Sequence, residues 1–331
     1  MTTRIIGTGS FLPDTIVTND DLSQIMDTSD EWIRTRTGIR ERHLVKEEST
    51  TYMAVNAAKK ALADAKMEAS ELDLIIVATI TGDHITPSCA CEVQAGIGAD
   101  KAVAFDINAA CSGFLFALNT AHAYINSGFC NNALIIGVET LSKIMDWKDR
   151  STCVLFGDGA GAAIVRKDEK GLCSMDWGSD GVKGMVLACK NRPKHNPLVT
   201  ENICDVNNTD AELQTLEYVH MDGQEVYKFA VSTVPASIQK VLDEADIKAD
   251  EIKYYILHQA NIRILQSVAK RLKVPEDRFP ISLDHCGNIS AASVPILLDE
   301  MNKQGKLNHG DKIVLSGFGG GLTWGSVVLE W

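Results

Sequence analysis

The sequence has no apolar run approaching the roughly 18 residues that a membrane-spanning helix needs, and its opening, MTTRIIGTGS, has no secretory hydrophobic region or cleavage site. These absences lead to the expectation of a cytoplasmic protein. No CxxC pair is present among the nine cysteines, which stand at 89, 91, 111, 130, 153, 173, 189, 204 and 286. An odd, scattered set reads as reduced thiols packed as small hydrophobes, which argues against a disulfide scaffold. Positive charge is also short: 32 Lys and Arg face 44 Asp and Glu, a formal net charge of -12. Such a field repels polyanions, so nucleic acid is disfavoured as a partner outside a local basic patch.

What remains is a globular composition, 331 residues with 45% hydrophobic and 23% charged, enough for two domains or two halves sharing a core. Apolar, β-rich runs alternate with helical patterns: RIIGTG near the start, LIIVATI (74–80), AVAFDI (102–107), ALIIGV (133–138) and GAAIVR (161–166). Unbroken apolar strands separated by helices predict an α/β protein with a largely parallel sheet buried on both faces. The second half repeats the order with YYILH (254–258), RFPISL (278–283), the helix-like SAASVPILLDEMNKQG (290–305), KIVLSG (312–317) and GSVVLEW. Sliding the halves by 177 positions sets Gly128 on Gly305 and Cys111 on Asn288. The expectation is a duplicated unit, residues 1–175 and 176–331, whose equivalent helices start at one central site. Residues 185–215 fit neither half and read as a long loop, either functional or a tolerated insertion.

Cys111 follows the strand AVAFDI and opens a helix with apolar positions Phe114, Leu118, Ala121 and Ile125. In a first turn, unpaired N–H groups and the helix dipole favour thiolate over thiol. The small neighbours Ala110, Ser112 and Gly113 leave room for a carbonyl to approach the sulfur. LHQAN (257–261) places His258 where a strand meets a helix, and CGNISAAS (286–293) places Asn288 just before the helix matched to that of Cys111. An imidazole and an amide in those places can aim donors at one substrate oxygen. In SGFGGGLTWG (316–325), three successive glycines bring backbone close to a ligand, so the N–H of Gly320 can join that of Cys111 at an acyl oxygen. The Lys-Ser/Thr ending of a phosphate-binding P-loop is absent there, and FGDGAGAA (156–163) runs into a strand instead of opening a helix.

Cys111 in AACSGF, His258 in HQAN, Asn288 in GNISAAS, the FGGGLTWG loop, FGDGAGAA and TSDEWIRTRTGIRERH (28–43) together resemble β-ketoacyl-acyl carrier protein synthase III, the condensing enzymes that initiate bacterial fatty acid synthesis. The resemblance spans nearly the whole chain. It implies a thiolase fold of two similar halves in five αβαβα layers, usually a homodimer. It also implies a ping-pong reaction in which Cys111 takes an acyl group from acyl-CoA and malonyl-acyl carrier protein (malonyl-ACP) decarboxylates to attack it, with no metal or organic cofactor. In that scheme Cys111, His258 and Asn288 are catalytic, and the N–H groups of Cys111 and Gly320 hold the oxyanion. Trp32 stacks on the CoA adenine, with Thr28, Arg36, Arg150 and Asn261 along the nucleotide and pantetheine path. Arg263, Lys270 and Arg271 form a basic helix face suited to an acidic carrier protein.

Three positions depart from the family pattern. Thr86 stands where a phenylalanine often closes the acyl pocket, Ser151 where glycine commonly follows the CoA-contacting arginine, and Ile289 where threonine commonly follows the asparagine. Two rival readings remain: a specialised condensing or acyl-transferring enzyme of the same fold, and a non-catalytic thiol or carrier-binding protein.

Overall fold

The structure, a computed structural model, describes residues 1–190 and 218–331. The first half contains β1 (Thr2–Phe11), β2 (Ile16–Thr18), α1 (Asn19–Ser23), α2 (Asp30–Thr37), β3 (Glu41–His43), α3 (Thr50–Ala65), β4 (Leu74–Ala78), α4 (Cys89–Ile97), β5 (Val103–Ile107), α5 (Gly113–Asn126), β6 (Asn132–Thr140) and β7 (Asp158–Asp168). The second contains β8 (Leu172–Ser179), β9 (Leu187–Ala188), β10 (His220–Met221), α6 (Gly223–Glu244), β11 (Ile252–Leu257), α7 (Ile262–Leu272), α8 (Leu283–Cys286), α9 (Ser293–Lys303), β12 (Lys312–Gly319) and β13 (Thr323–Glu330).

Two sheets carry the duplication. One has the order β1-β7-β6-β4-β5, the other β8-β13-β12-β11, and strand directions agree position by position: antiparallel, antiparallel, parallel. Helices α3 and α4 cover the outer face of the first sheet, α6 and α7 that of the second, and α5 and α9 lie between the sheets. These are the five expected layers. The four apolar positions of α5 named above are at most 1% exposed, because they face the two sheets that enclose the helix, while Ala123, Tyr124 and Asn126 near its C-terminal end reach solvent.

The sheets are mixed, which corrects the largely parallel arrangement expected: only the β5-β4-β6 and β11-β12 pairings are parallel. An unbroken apolar run reports burial on both faces, which the layering imposes on β4 and β6 whatever the strand direction, whereas the run at β5 forms a sheet edge with no buried residue. RFPISL forms no strand. It begins in a one-turn helix, Glu276–Arg278, and Pro280 has no N–H to give to a ladder. The expected boundary between 175 and 176 falls inside β8, which already pairs with β13 from Leu172 onward. Of the 185–215 segment, Leu187–Ala188 pairs with β10; residues 191–215 lie outside the described residues.

The equivalence of the halves is offset from the expected one. Short 3-10 turns, Ala110–Ser112 and Ser290–Ala292, precede α5 and α9 and pack against each other. Each opens on a left-handed residue, Ala110 at φ 44° and Ser290 at φ 45°, so the shift here is 180 positions and Cys111 falls on Ala291. At the far ends Gly128 does match Gly305, a shift of 177, since α5 has 14 residues and α9 has 11. Aligning the helix ends therefore misplaced the helix starts by three residues. The 180-residue relation also joins Gly137 in β6 to Gly317 in β12, each lying against the other half's turn. A methyl group on Gly137 would stand 2.2 Å from the carbonyl oxygen of Ala291, and one on Gly317 3.3 Å from that of Cys111.

Candidate active site

Cys111 sits in the 3-10 turn leading into α5, 8% exposed. The glycine run after β12 lies against it: a methyl on Gly319 would be 2.7 Å from Cys111 Cβ and 3.1 Å from Sγ, so only glycine permits this approach. Burial pushes the thiol up to about 11, against opposing contributions from the Ser290 hydroxyl and the N–H groups of Cys111 and Gly320. Desolvation thus outweighs the N–H groups at the helix start, and the expected resting thiolate is replaced by a thiol. Both N–H groups that the sequence offered for an acyl oxygen act on the Cys111 sulfur.

His258 follows β11, where its N–H donates to the Ser316 carbonyl at 2.8 Å and its ring meets Phe318 edge-on at 5.2 Å. The side chain is fully buried, which holds it neutral by lowering its pKa to about 3, and Nδ1 has no hydrogen-bond partner. Asn288 is held as a parallel bridge to Phe156: its N–H donates to Leu155 O at 2.9 Å and its carbonyl accepts from Gly157 N at 3.0 Å. FGDGAGAA therefore serves to seat Asn288. The Oδ1 of Asn288 accepts from Ser290 N at 2.9 Å, leaving the amide NH2 as the free donor. The segment 316–320 thus contacts both His258 and Cys111, and the paired 3-10 turns bring Asn288 to the same center.

Three residues that sequence reasoning missed, Glu139, Ser290 and Arg42, complete the site. Glu139, wholly buried at the end of β6, accepts from Thr81 Oγ1 at 2.5 Å and from Ile80 N at 3.2 Å. Burial raises its carboxyl to about 7, and its charge in turn raises Cys111. The buried Ser290 hydroxyl has no fixed partner and acts on both groups. An acid closing the apolar run ALIIGVET was the available signal. The third is Arg42, fully buried, whose guanidinium donates to Val154 O at 2.8 Å, Asn19 Oδ1 at 2.9 Å and Val17 O at 3.1 Å. It braces the stretch that seats Asn288.

Trp32 on α2 is half-buried between two guanidinium groups, Arg36 at 4.7 Å and Arg150 at 5.2 Å from the ring. Arg150 also donates to Asp27 O at 2.6 Å. Thr28, just before α2, keeps a buried hydroxyl without a partner. Asn261 caps α7 by accepting from Arg263 N at 2.9 Å. The predicted nucleotide-path residues Thr28, Trp32, Arg36 and Arg150 are thus brought together. Arg263, Lys270 and Arg271 are exposed on α7, with Arg263 tied to Thr35 O at 3.1 Å. Thr86 lies exposed between β4 and α4. Ile289 packs with Leu12, Cys286 and Ile296, and the Ser151 hydroxyl donates to Asp149 Oδ1 at 2.6 Å.

Comparison with known proteins bears on this geometry. Residues 105–181 match the family 3-Oxoacyl-[acyl-carrier-protein (ACP)] synthase III, and residues 242–331 match its C-terminal counterpart. The β-ketoacyl-[acyl-carrier-protein] synthase III of Clostridium botulinum is 52% identical over 328 residues, 99% of this chain and 98% of that protein. The chain belongs to the β-ketoacyl-[acyl-carrier-protein] synthase III family. A solved synthase III of Aquifex aeolicus VF5 is 45% identical with a TM-score of 0.91, covering 99% of this chain and 100% of that one. The priming β-ketosynthase of the R1128 polyketide pathway is 32% identical with a TM-score of 0.90, covering 99% of this chain and 96% of that one. The mixed α/β, thiolase-like fold is therefore the family's, and a synthase III enzyme is what the site belongs to.

Proposed function

We infer that the protein condenses an acyl-CoA primer with malonyl-ACP, releasing CoA and carbon dioxide and initiating fatty acid synthesis. The observation that carries this is one buried center combining a cysteine, two backbone N–H groups at its sulfur, a neutral histidine and an amide with a free NH2. In the first step Cys111 Sγ attacks the thioester carbonyl, the N–H groups of Cys111 and Gly320 hold the oxyanion, and CoA leaves with the proton. In the second, malonyl-ACP loses carbon dioxide. The enolate oxygen is met by donors on His258 and Asn288, and its carbon attacks the acyl-cysteine; the C–S bond breaks and the departing thiolate takes a proton from solvent to restore the thiol. A neutral imidazole suits this role because it donates a hydrogen bond without adding a buried charge.

Trp32, flanked by Arg36 and Arg150 and near Thr28, takes the nucleotide end of CoA, with Asn261 nearer the site. The exposed Lys270 and Arg271, with Arg263, receive the acidic carrier. The protein works in the cytoplasm as a homodimer. Supporting the dimer, β5 is a sheet edge with Val103 61% exposed, and Phe129 nearby is 83% exposed. Thr86 lies toward the same edge, since Asp106 of β5 anchors the start of α4; its acyl-pocket role needs a second copy to bring it in. The halves divide the labour, the first carrying the nucleophile and the second the enolate donors. Likeness to a priming ketosynthase keeps a specialised carrier or primer as the second reading.

Intact mass after incubation with C2 to C12 acyl-CoAs, beside Cys111→Ser, tests the proposal. An adduct that needs Cys111 and is discharged by malonyl-ACP into β-ketoacyl-ACP is the expected result. An adduct discharged only by another acceptor favours the second reading, and absence of any adduct overturns both.

A further inference from the structure

A second cluster of ligand atoms lies outside this chemistry. His285 and Cys286 on α8 and Glu300 on α9 each offer one atom, and the three lie within 4.8 Å of one another. His285 Nε2 is 3.0 Å from Glu300 Oε1, and Cys286 Sγ is 3.9 Å from the same oxygen. We propose that His285 Nε2, Cys286 Sγ and Glu300 Oε1 form a zinc site.

The opposite ring nitrogen, Nδ1, is 2.9 Å from Asp284 Oδ1. That is the carboxylate–histidine arrangement which orients a metal-binding imidazole and raises its basicity. The mixture of sulfur, nitrogen and oxygen suits zinc, whereas calcium and magnesium take oxygen alone. His285 and Glu300, though not the buried Cys286, line a surface hollow of about 360 Å³ with Ile281, Gln304 and Lys306, from which an ion reaches the cluster. The ligands bracket the chain that carries Asn288, two residues after Cys286, so the metal ties α8 to α9 around that residue.

Chelator-treated protein is titrated with zinc against a chromophoric chelator and, separately, with cobalt(II). Wild type and Cys111→Ser are expected to bind one equivalent and to show a thiolate-to-cobalt absorption band. Cys286→Ser loses the band, and Glu300→Gln and His285→Asn weaken zinc at least tenfold. Asp284→Asn weakens it by about 10–100-fold. Glu300→Gln keeps the thiol and guards against misfolding of the cysteine variant, with circular dichroism checked for each. Absence of stoichiometric zinc, or binding that survives Cys286→Ser but is lost in Cys111→Ser, overturns the site.

Discussion

Burial alone sets the protonation of His258, near 3 in the folded chain against about 6.5 unfolded. Between those values the unfolded chain holds a proton that the folded one lacks, so stability falls as pH drops from about 6.5 toward 3. Urea midpoints across that range are expected to fall less steeply for His258→Gln than for wild type. Removing either proposed enolate donor, His258→Ala or Asn288→Ala, is expected to leave Cys111 acylation intact and to lower condensation by about 10²–10³, read by single-turnover mass spectrometry. Glu139 acts with the opposite sign on the thiol, its charge raising Cys111. Glu139→Gln therefore speeds iodoacetamide alkylation of Cys111 several-fold at pH 8; an unchanged rate disproves the coupling.

The paired 3-10 turns are the element on which the site depends, because they set Cys111 from one half beside Ser290 and Asn288 from the other. Their contact requires glycine in the facing strand. Gly137→Ala drives a methyl group into the Ala291 carbonyl at 2.2 Å and is expected to cost about 3 kcal/mol, measured by denaturant unfolding. Gly181→Ala, with nothing within 4 Å, is expected to be near neutral. Helix α5 itself was legible from its apolar spacing. The three-residue difference between α5 and α9 was not, since both helices are followed by a left-handed glycine just past the cap, Gly128 and Gly305, and only the packed turns fix where each begins.

At the scale of the whole molecule, the proposed CoA path crosses both halves: α2 carries Trp32 and Arg36, while α7 reaches back through Arg263 to Thr35 O. Trp32→Ala is expected to raise KM for acyl-CoA about fivefold to tenfold with little change in kcat. The open β5 edge is the surface on which a second copy is proposed to sit. Val103→Glu combined with Phe129→Glu is expected to sediment as a monomer where wild type sediments as a dimer.

The sequence by itself determined the α/β class, the duplication and the family, and singled out Cys111, His258 and Asn288 as candidates, because apolar periodicity and local motifs are properties of contiguous residues. Tertiary structure alone decided what those residues experience. Enclosure between layers turns the thiol away from thiolate and keeps His258 neutral, since desolvation is set by all surrounding atoms. The roles of Glu139, Ser290 and Arg42, the antiparallel pairings and the 180-residue register likewise follow from contacts between segments far apart in the chain.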